Sequence, residues 1–294
     1  MGSSVACAGQ NHHTAFMSGP VALLKASHPE PGGAVTLAMT LLAVGVGHRG
    51  WSVLGVAAAI GATQLSVGWV NDWLDADRDR VAGRTDKPVA SGAVSRRTVG
   101  IAGLIASLAI PLLGLPFGPA ATACITLVGV FALLYDWPLK STPLSVLPYL
   151  VAFGLMPAFV VIALPGHPWP PAWLVAAGAL LGGGAHFANV LPDLDDDAAT
   201  GVVGLPHRIG ATGSQIAAGC LLLAATLTLV LGPPGPPSWA GIAAAAAAAV
   251  VLPLGWYAGR RAQRAGGRQV AMFRSVIVVA LLDVVLLVLS GRVL

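Results

Sequence analysis

Eight of the twelve acidic residues in the chain fall within two short stretches. Asp72, Asp75, Asp77 and Asp79 belong to NDWLDADRDR, residues 71–80, and Asp193, Asp195, Asp196 and Asp197 to PDLDDD, residues 192–197. On a helix Asp72, Asp75 and Asp79 share one face, with Asn71 beside it. Asp193 and Asp197 stand one turn apart, and Asp196 adjoins them. Like charges at this spacing destabilise a helix by roughly 0.2–0.5 kcal/mol per pair. An aspartate at the centre of a bilayer costs about 2.5–3.5 kcal/mol. Both costs fall at a membrane boundary that faces an aqueous cavity and cations. Clustered carboxylate oxygens suit magnesium, which binds one or two carboxylates together with phosphate. Asp72, Asp75, Asp79, Asp193, Asp196 and Asp197 are the candidate metal ligands. Two such clusters could hold metal ions on either side of a diphosphate. Asp77 and Asp195 point off these faces and read as capping, ion-paired or supporting residues.

The scaffold that must position these residues is a membrane bundle. The chain is 56% hydrophobic and 10% charged, with mean hydropathy +0.79; a soluble domain carries about 25% charged residues. Nine apolar spans are expected, near residues 34–48, 51–72, 98–115, 117–136, 145–164, 172–191, 213–232, 238–257 and 275–291. Residues 1–20 read as a disordered tail and 21–294 as one membrane domain. Val21–Lys25 would begin a short interfacial helix, broken by Pro29 and Pro31. With the N-terminus in the cytoplasm, nine spans place fourteen of the sixteen Lys and Arg residues inside, as the positive-inside rule requires. Both acidic stretches then face the cytoplasm. The net charge of +4 does not suggest nucleic acid, because the basic residues track loops. Cys7, Cys124 and Cys220 show no metal or disulfide spacing. Each half repeats one plan, a helix running into an acidic knot, a polar loop and two more helices. The expected fold is therefore all-α and polytopic, two pseudo-repeat halves plus an extra helix.

Polar residues within the spans extend the candidate site. Gln64, Gly68, Asn71 and Asp75 share a helical face, where Gln64 could contact a ligand or bond across helices. His186 precedes Asn189 and Asp193 at i+3 and i+7, and it either touches a ligand or bonds to another helix. Asp283, inside the ninth span, faces a cavity or a buried partner.

The chain resembles the UbiA-type family of intramembrane prenyltransferases. Asn71, Asp72, Asp75 and Asp79 match the family pattern N-D-x-x-D-x-x-x-D, and DRVAGRTDKPVASGAVS continues it with Arg84, Lys87 and Pro88. Asp193 and Asp197 match the second family motif, D-x-x-x-D. Gly201, Leu205, Pro206, Arg208 and Gly210 fit its tail. YDWPLK, from Tyr135 to Lys140, is similar to the family element Y-x-x-x-x-K. The H-x-x-N lead-in at His186 and Asn189 departs from the usual second motif. The resemblance implies a nine-helix bundle around a central cavity, cytosolic aspartate motifs and magnesium dependence. It also implies transfer of an isoprenyl group from a prenyl diphosphate to a small aromatic or lipid-like acceptor.

The residues fit that chemistry. Asp72, Asp75, Asp193 and Asp197 would carry the ionisation, with the metal neutralising the leaving diphosphate. Arg84, Lys87, Lys140 and Arg208 would donate to its oxygens. Asn71, Gln64, Gly68, His186 and Asn189 would line the substrate site. Tyr135 would stabilise an allylic cation through its ring face; Trp69 would do the same or anchor the interface. A terpene cyclase on this scaffold would show the same motifs. A cation transporter requires acids near the bilayer midplane, whereas these lie at span ends. A phosphatidyl-type alcohol transferase would carry D-G-x-x-A-R, which is absent.

Overall fold

The computed structural model describes residues 19–267 and 269–291. Residues 1–18 of the expected tail lie outside them, while Gly19 and Pro20 already belong to a helix. The α-helices in chain order are α1 (Gly19–Ala26), α2 (Pro29–Val46), α3 (Trp51–Val81), α4 (Arg96–Gly114), α5 (Pro119–Asp136), α6 (Leu147–Ile162), α7 (Ala172–Val190), α8 (Leu194–Ala199), α9 (Leu205–Leu231), α10 (Trp239–Arg264) and α11 (Val270–Ser290). Among the described residues there is no strand. Among the described residues eight helical stretches are long and apolar enough to cross a membrane, and α6 is a shorter ninth apolar helix. The protein is thus an all-helical, multi-pass membrane protein.

Successive long helices pack on one another, and α11 returns to α2, so the bundle closes as a ring. The acidic helices α3 and α7 hold equivalent places, each packed between the preceding and the following long helix. A side chain at Gly182 would collide with Phe153 and with the Tyr149 carbonyl. Its absence lets α7 lie against the α6 backbone, as small residues allow in membrane helices.

Four boundaries differ from the sequence reading. Pro29 does not break a helix; it starts α2, preceded by His28 in the left-handed conformation (φ 54°). The first turn has no intrahelical acceptors for its N–H groups, so Pro29 and Pro31 cost little there. The second span does not stop at residue 72, because α3 continues through the whole first motif. Ion pairs Arg78–Asp75 and Arg80–Asp77, three residues apart, sustain that extension. At 31 residues, α3 is roughly 46 Å long, well beyond a bilayer core of about 30 Å. Its acidic end therefore reaches the boundary. The second motif does not continue α7 as one helix. The chain tightens to a 3₁₀ turn at Leu191–Asp193, opened by Pro192, and only then forms α8. Basic residues 260–264, expected in a loop, extend α10, where Arg260 stacks over Trp256.

Candidate active site

The helices enclose a cavity of about 630 Å³. Asp75, Asp79, Arg84, Lys140, Asp193 and Asp197 line one end, and Leu42, Leu174, Leu229 and Leu287 line the other. Between Glu30 and Leu42, both on its wall, α2 rises roughly 18 Å at 1.5 Å per residue. A charged mouth thus opens into a deep aliphatic chamber.

The first motif is held by long-range partners. Asp72 is 1% exposed, and its Oδ1 accepts from Lys87 Nζ at 2.7 Å. His28 Nε2 lies 2.9 Å from the same oxygen. A side chain at Gly68 would strike the Ser27 carbonyl. Gly68 is therefore what admits the α1–α2 turn and sets His28 beside Asp72. One turn on, Asp75 is gripped by Lys140 on one oxygen and Arg78 on the other. Asn71 Nδ2 donates to Asp136 Oδ1 at 3.2 Å. Gln64 lines the cavity and donates to Thr63 Oγ1.

Arg84 connects the two motifs. Its Nε and Nη2 bond both oxygens of Asp86, and its Nη1 donates to Asp193 Oδ1 at 3.1 Å. Asp196 lies 3.9 Å from the same nitrogen. The Asp86 bonds hold the guanidinium protonated even more firmly than usual, against the opposing effect of desolvation. A lysine has a single ammonium and cannot reproduce this fork. Arg84→Lys is expected to raise the KM for a prenyl diphosphate about tenfold, the worth of one charge-assisted bond of roughly 1.5 kcal/mol. Steady-state kinetics in detergent would measure it; an unchanged KM would remove Arg84 from the site.

In the second half, Asp197 lines the mouth near His207, with His207 Nε2 3.9 Å from Asp197 Oδ2. The Gly204 N–H donates to His207 Nδ1, which places the imidazole proton on Nε2. Deeper lies an aromatic wall. Tyr149 meets Tyr135 edge-on, and both pack against His186. Phe153 stacks on Tyr149. Asn189 Nδ2 donates to the Tyr149 hydroxyl.

The fold gathers most of the residues singled out from sequence. Gln64, Gly68, Asn71, Asp75, Asp79, Arg84 and Lys87 from the first half line the cavity, as do Tyr135 and Lys140, and His186, Asn189, Asp193 and Asp197 from the second. Asp72 stands just behind the wall, tied to Lys87, and Asp196 stands off it, partly exposed and near Arg84. One expectation is corrected. Arg208 is exposed and off the cavity wall, since the first turn of α9 directs His207 inward instead. Of the two alternatives for Trp69, contact with an allylic cation falls away, because the ring is off the cavity wall and its indole N–H bonds the Leu23 carbonyl and fastens α1. Asp77 pairs with Arg80 and Arg96 outside the site, and Asp195 is exposed. Asp283 accepts from Thr226 in a buried pair between α11 and α9. Sequence reasoning missed His28, Arg78, Asp136, Tyr149 and His207. Only Asp136 carried a signal, being an acid at the end of an apolar span next to Tyr135.

The donor set fits a hard divalent cation. Aspartate oxygens dominate the mouth, and Asp72 Oδ2 is buried with no hydrogen-bond partner. Among the described residues no three acidic, histidine or cysteine side chains converge closely enough to hold an ion unaided. A cation here would share its coordination with water and phosphate oxygens, which is the habit of magnesium.

The sequence model of one protein family, the UbiA prenyltransferase family, matches residues 33–277. A 4-hydroxybenzoate octaprenyltransferase of Acidovorax ebreus (strain TPSY) is 30% identical over 210 residues, covering 68% of this chain and 71% of that one. Two solved structures share the fold. A UbiA homolog from Aeropyrum pernix K1 superposes with TM-score 0.68 at 19% identity, over 87% of this chain and 96% of that one. A UbiA homolog from Archaeoglobus fulgidus, bound to GPP and Mg2+, superposes with TM-score 0.66 at 11% identity, over 92% and 98%.

Proposed function

The chain belongs to the UbiA prenyltransferase family and is an intramembrane prenyltransferase; on that premise we propose that it transfers an isoprenyl group from a prenyl diphosphate to a small aromatic or lipid-like acceptor, with magnesium as cofactor. The observation that carries this reading is the single cavity joining a mouth of aspartates and cations to a deep aliphatic chamber. Arg84, Lys87 and Lys140 bind and orient the diphosphate. Asp72, Asp75, Asp79, Asp193, Asp196 and Asp197 are the residues that would hold magnesium, which when bound neutralises the leaving group. The aliphatic chamber takes the prenyl chain and keeps water from the allylic centre. The faces of Tyr135 and Tyr149 stabilise positive charge developing there. The mouth faces the cytoplasm, as the loop charges require.

The test uses purified protein and labelled prenyl diphosphates of increasing length, with and without magnesium. Membrane lipid extract and 4-hydroxybenzoate serve as acceptors. Magnesium-dependent diphosphate release coupled to a prenylated product is expected. Absence of release with every donor would sink the reading. A hydrocarbon formed without acceptor would replace it with a terpene cyclase, for which the same diphosphate site suffices.

A further inference from the structure

Three buried polar atoms of cavity-lining residues have no partner; His207 Nε2 belongs to the mouth, and the other two, on Asp136 and His186, lie beside the tyrosine wall. Asp136, at the end of α5, is 2% exposed, and its Oδ2 has no hydrogen bond. Its other oxygen accepts from Asn71. His186, on α7, is 1% exposed, and its Nδ1 is likewise unpartnered. The state of that nitrogen follows from its neighbours. Ser145 is fully buried and its O–H meets no other acceptor among the described residues, so while its Oγ accepts from the Leu205 N–H at 2.9 Å its proton goes to His186 Nε2, 3.0 Å away. The imidazole proton therefore sits on Nδ1, where it is a donor. Tyr135, next to Asp136 in the chain, meets Tyr149 edge-on, both rings pack against His186, and all four residues line the cavity. An unpartnered buried polar group is costly, about 1–3 kcal/mol, so two along one aromatic wall point to a ligand that pairs them.

Resting on the prenyl-transfer reading, we infer that this wall is the acceptor subsite and that Asp136 is the base that receives the acceptor's proton. The acceptor is a flat or conjugated molecule bearing an O–H group and a hydrogen-bond-accepting oxygen. The first is taken by Asp136 and the second by His186 Nδ1–H. The charged neighbours of Asp136 are Lys140, Lys87 and Asp75. In the reaction the C1–O bond of the donor breaks, and its electron pair leaves with the diphosphate. An electron pair of the acceptor forms the new bond to C1. The proton lost by the acceptor passes to the Asp136 carboxylate. Asn71 keeps that carboxylate turned toward the wall.

Asp136→Asn tests the assignment, because asparagine retains the Asn71 bond and removes only the basic oxygen. Geranyl diphosphate is the donor; 4-hydroxybenzoate with membrane lipid extract is the acceptor pool. Prenylated product, prenyl alcohol and diphosphate are counted together. The variant is expected to bind donor and release diphosphate in magnesium at near the wild-type rate. Transfer should fall at least about 100-fold, the usual worth of a positioned base, with prenyl alcohol replacing the product. His186→Phe, which keeps the ring packing, should raise the acceptor KM and leave donor KM unchanged. Transfer by Asp136→Asn within about threefold of wild type would overturn the inference, as would loss of donor binding with transfer. A wild-type protein that yields only alcohol or hydrocarbon would also overturn it. A wild-type protein that releases no diphosphate at all would instead defeat the prenyl-transfer reading.

Discussion

Asp72→Ala and Asp193→Ala are each expected to lower magnesium-dependent diphosphate release by about 10³-fold or more. The expectation follows from where the two carboxylates sit. Asp72 lies behind the mouth on α3, with one oxygen on Lys87 and the other unpartnered. Asp193 lies at the break between α7 and α8, with one oxygen on Arg84. They come from opposite halves of the chain, and the cations that hold them, Lys87 and Arg84, line the same mouth. Charge stabilisation by a metal is worth several kcal/mol, and each 1.36 kcal/mol is tenfold in rate. Losing either ligand should therefore cost three decades. The controls lie in the same motifs. Asp77 pairs outward with Arg80 and Arg96, and Asp195 is exposed, so Asp77→Ala and Asp195→Ala should keep release within about threefold of wild type. The measurement is labelled diphosphate release at saturating donor, with and without magnesium. Equal loss in all four variants would show that acidity alone, rather than this geometry, supports the reaction. Retained release in Asp72→Ala and Asp193→Ala would remove both from the site.

Lys87→Ala should act on stability as well as activity. Asp72 is 1% exposed and Lys87 15% exposed in a pair 2.7 Å apart. Removing one member of a buried ion pair strands the other charge, at a cost of about 3–5 kcal/mol. His28 remains beside Asp72, so the lower end, about 3 kcal/mol, is expected. The double variant Asp72→Asn with Lys87→Ala removes the stranded charge as well. It should recover most of the lost stability and none of the activity. Denaturant unfolding in detergent, read alongside diphosphate release, separates the two effects. If Lys87→Ala unfolds at the wild-type midpoint, the pair does not hold the motif. If the double variant is no more stable than Lys87→Ala, the loss does not come from a stranded Asp72.

The acidic motifs were legible because their chemistry is dense. Four carboxylates in ten residues of an apolar chain have few structural excuses, and the period of the helix puts three on one face. The basic partners Arg84, Lys87 and Lys140 were legible with them, through the motif that each accompanies. The apolar spans were equally plain, since a bilayer demands unbroken helices of about 20 residues. Helix ends were less so. Pro29 reads locally as a breaker, yet at a first turn it starts a helix, and nothing in the sequence says where the turn begins.

By itself, then, the sequence determined the membrane bundle, the acidic motifs and the cations that serve them, because each of these depends on composition or on spacing along one helix. The tertiary structure decided the rest. Adjacent residues on a helix point about 100° apart, so His207 faces the mouth and Arg208 does not. That choice of phase is made by the Gly204–His207 bond at the start of α9, together with the turn at Gly210, φ 73°. Asp136 meets Asn71 from 65 residues away, and Tyr149 of α6 reaches His186 of α7 because Gly182 lets α7 press against α6. A lone polar side chain in an apolar helix has no period to betray it; only the packing of neighbouring helices fixes whether it meets lipid, protein or the cavity.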